Sequence, residues 1–259
     1  MDLSDHLQGI LEANDRIALE AYLSDNANIS QGELDQCLTS TMPKGSLDML
    51  KILLEKGAKL TRFSYWDAIK REEPATLQLL VDHGWNIDST EFGTPPVHAA
   101  LNFETSLRWL LDHGANPNIM SVRKRGSCDP EPCLTPLARA AKYSNPKLLD
   151  ILLSYGAKID PVAMFTPIGR RVPGNGIAAM TVLLDHGADI NCAVKGKGTP
   201  LWYAVTRDKQ DTVMFLLGRG ADPALPPPGR TMSPMEYAKA KGMTGLYEIL
   251  EGARKNGAP

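Results

Sequence analysis

The sequence lacks the features that mark most enzymes and membrane proteins. No apolar run in its 259 residues approaches the roughly 20 needed to cross a bilayer, so no membrane insertion is expected. There is no H-E-x-x-H pair, no G-x-S-x-G elbow and no glycine-rich phosphate loop; Gly174-Asn175-Gly176 is not followed by the Lys-Ser/Thr that such a loop requires. Cysteine is scarce. The four, at positions 37, 128, 133 and 192, are too scattered for a disulfide framework. Cys128 and Cys133 form a C-x4-C pair, but a zinc site needs about four ligands and no second pair exists. No metal and no other cofactor is expected. An excess of one charge is missing too: 28 basic residues stand against 30 acidic ones, whereas a general nucleic-acid-binding domain carries a basic surplus, so no nucleic acid partner is expected. The opening MDLSDHLQGI is acidic and lacks the apolar stretch of a secretory signal. A reducing compartment, cytoplasmic or nuclear, is the expectation.

What the sequence does contain is a ladder, repeated. Leu50, Leu53 and Leu54 precede Gly57; Leu77, Leu80 and Val81 precede Gly84; Leu107, Leu110 and Leu111 precede Gly114. The pattern returns before Gly156 (Leu149, Leu152, Leu153), Gly187 (Met180, Leu183, Leu184) and Gly220 (Val213, Leu216, Leu217). Rungs three and four residues apart share one helix face, and a glycine just after them supplies the left-handed residue that ends a helix. A seventh copy, Leu19, Tyr22 and Leu23, precedes Asn26, which is read as the left-handed residue there. The stops are spaced 31, 27, 30, 42, 31 and 33 residues apart, a period that signals stacked helix pairs. The fullest unit is Gly198–Pro223, where Thr199 can cap a first helix, Pro200 can open it, and Leu201, Ala204 and Val205 share a face.

These residues resemble the ankyrin repeat family. Its T-P-L-H-x-A-A opening is matched by Thr199-Pro200-Leu201-Trp202-Tyr203-Ala204-Val205, by Thr135-Pro136-Leu137-Ala138-Arg139-Ala140-Ala141, and less well by Thr94-Pro95-Pro96-Val97-His98-Ala99-Ala100. Its L-L-x-x-G-A-D-x-N closing is matched by Leu183–Asn191 and Leu110–Asn118. The resemblance implies an all-α ankyrin-repeat solenoid of about eight helix-turn-helix units with short hairpin loops. We expect a single domain over residues 1–259, with cap repeats at 1–30 and 231–255. Residues 121–133 read as an inserted loop that explains the 42-residue interval. The sixth unit is read as opening at Thr166-Pro167, with Pro173-Gly174 ending its first helix early.

In the family, the first-helix residue between the apolar positions lines a concave groove. Tyr203 lies about 200° around the helix from Leu201, off the buried face. The equivalent places are Asp67, His98, Arg139, Arg170, Tyr203 and Tyr237, with Tyr143 and Arg207 at helix ends. Arg and Tyr dominate its middle, and both anchor interfaces. The expected function is a protein–protein interaction module or adaptor that binds an acidic partner protein as a monomer. Its binding residues are His98, Arg139, Tyr143, Arg170, Tyr203 and Arg207, with no catalytic residue. The alternative is a small-molecule-binding or catalytic solenoid with a site near His98 and Asp67. His83, His113 and His186, each just before a stop glycine, are read as structural. The triplet Arg123-Lys124-Arg125 is read as a solvated charge run.

Overall fold

The computed structural model describes residues 3–26, 28–122, 133–143, 145–169 and 176–255. Among these residues there are fifteen α-helices, three short 3-10 helices and one isolated bridge, Val194–Gly198. The helices come in eight pairs. They fall into two compact units, up to residue 131 and from residue 132.

In the first unit α1 (Asp5–Ala13) pairs with α2 (Arg16–Asp25), α3 (Gln31–Thr41) with α4 (Leu47–Glu55), and α5 (Arg62–Lys70) with α6 (Pro74–Asp82). Then α7 (Pro96–Ala99), continued by a 3-10 turn over Ala100–Asn102, pairs with α8 (Glu104–Asp112). The second unit holds α9 (Pro136–Lys142) with α10 (Pro146–Ser154), and two 3-10 helices (Pro161–Met164 and Thr166–Ile168) with α11 (Ile177–Asp185). It ends with α12 (Pro200–Thr206) and α13 (Gln210–Gly218), then α14 (Pro234–Ala240) and α15 (Thr244–Lys255). Within each unit first helices touch first helices and second helices touch second helices, as in α3 with α5, α4 with α6, and α12 with α14.

Local chemistry sets the helix ends. Thr135 and Thr199 accept the backbone N–H groups of Ala138 and Trp202, with a proline following each at the first helical position. Ser30 with Glu33, and Ser233 with Glu236, form reciprocal capping boxes. At the other end the glycine stops share one geometry. Gly187, at φ 88°, donates its N–H to Leu184, and Ala188 reaches back to Leu183. The same two bonds close the helices before Gly57, Gly84, Gly114, Gly156 and Gly220.

The ladder is the core. Its first two rungs, Leu50 and Leu53, Leu107 and Leu110, Leu149 and Leu152, Met180 and Leu183, Val213 and Leu216, are all 0% exposed. The third rung varies: Leu54, Val81, Leu153 and Leu184 are half-buried, whereas Leu111 and Leu217 are buried. At the start of the chain, Leu3, Leu7, Ile10 and Leu11 pack inward while Ser4, Asp5 and Gln8 face water. Leu246 and Leu250 do the same for α15.

Two expectations are corrected. Asn26 is not left-handed: its φ is −108°, and its side-chain amide bonds the Tyr22 carbonyl at 2.9 Å instead. The left-handed residue of that pair is Asn14 (φ 53°), whose Oδ1 accepts the Ser46 N–H at 2.8 Å and ties the first pair to the second. The sixth pair opens at Pro161, capped by Asp160, six residues before Pro167. Proline carries no N–H to donate, so Pro167 interrupts the run and leaves two 3-10 turns in place of an α-helix. Gly176 (φ 71°) then starts α11 against that proline, where a Cβ would lie 2.3 Å from the Pro167 carbonyl oxygen. Of the expected insertion 121–133, residues 123–132, including Arg123-Lys124-Arg125 and Cys128, lie outside the described residues.

Leu183→Ala and Leu216→Ala should each destabilise the protein by about 2–5 kcal/mol, and the half-buried third rung Leu184→Ala by clearly less. Urea unfolding checks the order; equal losses at Leu183 and Leu184 would mean that the ladder is misread. Gly187→Ala should cost about 1–2 kcal/mol through its backbone alone, because nothing stands within 4 Å of the added carbon.

Candidate functional site

The second unit carries a cleft of about 580 Å³, lined by Gly196, Lys197, Trp202, Tyr203, Thr206, Arg207, Asp208, Arg230 and Tyr237. Helix α12 is its floor. Leu201, Ala204 and Val205 are buried on the ladder side, so Tyr203 and Thr206 turn outward. One wall is the loop before α12, folded back by the antiparallel bridge between Val194 and Gly198. Gly198 (φ 80°) lets this loop close on the indole, because a Cβ there would meet the Trp202 ring at 2.8 Å. The opposite wall is Arg230 and Tyr237, from the next pair. The Tyr237 ring packs on Trp202 at 4.9 Å between centroids.

Every cation in this cleft is set by an aromatic ring. The Arg207 guanidinium lies 4.1 Å from the Tyr203 ring centroid and donates to the Tyr203 hydroxyl at 2.5 Å. Lys197 Nζ stands 5.5 Å from the same ring and 5.6 Å from Phe165, whose ring meets Tyr203 edge-on. Arg230 lies over Trp202 at 5.7 Å and donates to the Gly196 carbonyl at 3.3 Å. Such contacts stabilise by about 0.5–1 kcal/mol each at exposed sites and, more usefully here, fix where the charge points. Among the described residues no carboxylate stands within ion-pair distance of Lys197, Arg207 or Arg230. Burial, and then the neighbouring Arg207 charge, hold the Lys197 amine below the ordinary lysine range.

Of the residues expected from sequence, Tyr203 and Arg207 meet in this cleft. Arg139 is half-buried on α9, and Tyr143, at its end, is 44% exposed. Arg170 lies outside the described residues. His98 is corrected: it is 4% exposed, with Nε2 2.8 Å from the Ile119 carbonyl, so that nitrogen carries the proton. The reason is register. Helix α7 begins at Pro96, with Pro95 as its cap, one residue later than the Thr-Pro pair suggests. His98 is thereby the third helical residue, equivalent to buried Ala138 and Trp202 rather than to Arg139 and Tyr203. Asp67 pairs with Lys70 at 3.5 Å. In His83, His113 and His186 the Nδ1 donates to the carbonyl four residues back, at 2.8, 2.8 and 2.9 Å, the structural role expected of them. Sequence reasoning missed Lys197 and Arg230. Their one signal is a glycine beside each, Gly196-Lys197-Gly198 and Gly229-Arg230.

A family model described as "Ankyrin repeats (3 copies)" matches residues 67–163, and one described as "Ankyrin repeat" matches 198–226. These are ankyrin repeats. Among solved structures, the human ASB11 ankyrin repeat domain superposes with a TM-score of 0.61 at 19% identity, covering 84% of this chain and 99% of that one. The ankyrin repeat domain of Bcl-3, described as a unique member of the IkappaB protein family, gives 0.52 at 17%, covering 97% and 100%. Likeness at these identities is a likeness of fold. A search of curated proteins returned no match. The matched ankyrin stretches leave out 164–197, where Pro167 breaks the sixth pair and Lys197 closes the cleft wall.

Two outcomes are expected. Arg207→Gln should raise the Lys197 pKa without restoring its ordinary value, since burial remains; an NMR titration of the lysine side chain checks this, and no rise would place the guanidinium away from the amine. His98→Ala should cost about 1–3 kcal/mol in urea unfolding, because it removes a buried ring and the donor to the half-buried Ile119 carbonyl.

Proposed function

We propose that the chain is a non-catalytic protein-interaction module, an adaptor, that takes an acidic segment of another protein in the cleft of its second unit. The observation that carries this reading is the set of three cations, Lys197, Arg207 and Arg230, lining one recess with no carboxylate paired to them among the described residues. Ionic hydrogen bonds to such groups are about twice as strong as neutral ones, and an arginine fork grips a carboxylate with two. The rings that hold the cations reduce the side-chain freedom lost on binding, which runs to about 0.5–1.5 kcal/mol for each long side chain immobilised. Tyr203 and Trp202 add apolar area of the kind that anchors interfaces. Arg139 on α9 of the same unit and Tyr143 at its end are read as flanking contacts. The setting is read as cytoplasmic or nuclear, and the chain as a monomer. The catalytic alternative gains nothing from His98, which is buried against a carbonyl, or from Asp67, which pairs with Lys70.

Lys197→Glu combined with Arg207→Glu should keep the melting temperature within a few degrees. It should also remove those proteins that the wild type captures from native extract and releases to a poly-glutamate peptide. Lys51→Glu with Asp150→Lys, exposed on α4 and α10, is the control and should capture normally. Unchanged capture by the cleft variant would overturn the site.

A further inference from the structure

The cleft's charges specify more than acidity. Lys197, Arg207 and Arg230 carry three positive charges, and Asp208 is the carboxylate that lines the cleft with them. The local sum is therefore about +2. A single partner carboxylate would leave one positive charge uncompensated in a recess where Lys197 is already disfavoured as a cation by burial and by Arg207. A phosphate monoester carries about −1.5 to −2 near neutral pH and closes that sum.

The donors fit the same ion. Two guanidiniums offer flat forks and the ammonium offers a point charge. A phosphate monoester presents three terminal oxygens, one for each cation, whereas a carboxylate presents two. The cations are set in advance from three different elements: Arg207 by the Tyr203 hydroxyl and ring, Arg230 by the Gly196 carbonyl and the Trp202 ring, and Lys197 by the loop that the Val194–Gly198 bridge closes. Arg207 and Arg230 already lie over the Tyr203 and Trp202 rings, which makes those rings supports for the cations more than stacking platforms. The volume of about 580 Å³ exceeds one phosphate and admits the residues on either side of it.

We infer that this cleft recognises a phosphorylated serine or threonine side chain in a segment of the partner protein, its terminal oxygens set among Lys197, Arg207 and Arg230. This rests on the reading of the cleft as an acidic-segment site and narrows it. Phosphorylation would then act as the switch for binding, since the unmodified hydroxyl offers these cations no charge.

The test uses the full chain and three biotinylated degenerate peptide libraries that differ at one fixed central residue: phosphoserine, glutamate or serine. A DNA oligonucleotide of mixed sequence is the fourth probe. The phosphoserine library should be retained at least tenfold better than the glutamate library, with the serine library near background. Lys197→Gln and, separately, the exposed-loop variant Arg230→Gln should each reduce that retention several-fold, while Lys51→Gln, exposed on α4, should not. Circular dichroism melts confirm that each variant is folded. Equal retention of the phosphoserine and glutamate libraries, lost together in Lys197→Gln, would overturn the phosphate inference and leave the acidic-segment reading standing. No retention of any library, or retention unmoved by both Gln variants, would overturn both. Retention of the oligonucleotide equal to that of the phosphoserine library would overturn the protein partner in favour of nucleic acid.

Discussion

No pair of helices in this protein can bury its own apolar face. The second helices are mostly nine residues long, with two or three ladder rungs on one side, and an isolated helix of that length is marginal in water. Burial is completed only by the pair on either side, so each rung depends on its neighbours as much as on its own helix. That dependence explains the uniformity of the stops. Neighbouring faces meet only if every second helix ends at the same depth and releases the chain in the same direction. The paired bonds to the glycine and to the residue after it impose this six times over.

Because the ladder carries cohesion, the residues off it are released from packing, and the second unit uses that freedom at its cleft. Trp202 is an intermediate case. It is buried, yet its ring is what Arg230 rests on and what Tyr237 packs against. The cations come from loops and from a turn, while the rings that aim them come mainly from helices. Mobile charge is thereby fixed to rigid scaffold, which is how a surface recess obtains directionality without a deep pocket.

The array was legible in the sequence because each ladder-and-glycine unit encodes its own boundary within about eleven residues. Where the reading went astray, a local substitute satisfied the same physical need. Asn26 answers the open Tyr22 carbonyl with its side chain, so the backbone never turns left-handed. Thr94-Pro95 looks like an opening, but a second proline follows, and the helix starts at that second ring; a one-residue slip moved His98 from the surface to the interior. At the sixth pair Asp160-Pro161 takes the role given to Thr166-Pro167. The cleft was half legible. Tyr203 and Arg207 follow from helix geometry. Lys197 and Arg230 arrive by loops whose course depends on Gly198 and on the indole beneath it, and no periodicity reports that.

The broken first helix of the sixth pair has a thermodynamic consequence. In a linear array the weakest member decides where cooperativity divides, and two 3-10 turns supply poorer hydrogen bonds than an α-helix would. Such a joint is where the helices on either side can open at different free energies. The cleft rides on the later segment, yet Phe165, from the faulty pair, leans on Tyr203 within it. Whatever binds against Tyr203 also opposes opening at that joint, so filling the cleft and holding the segments together are one equilibrium.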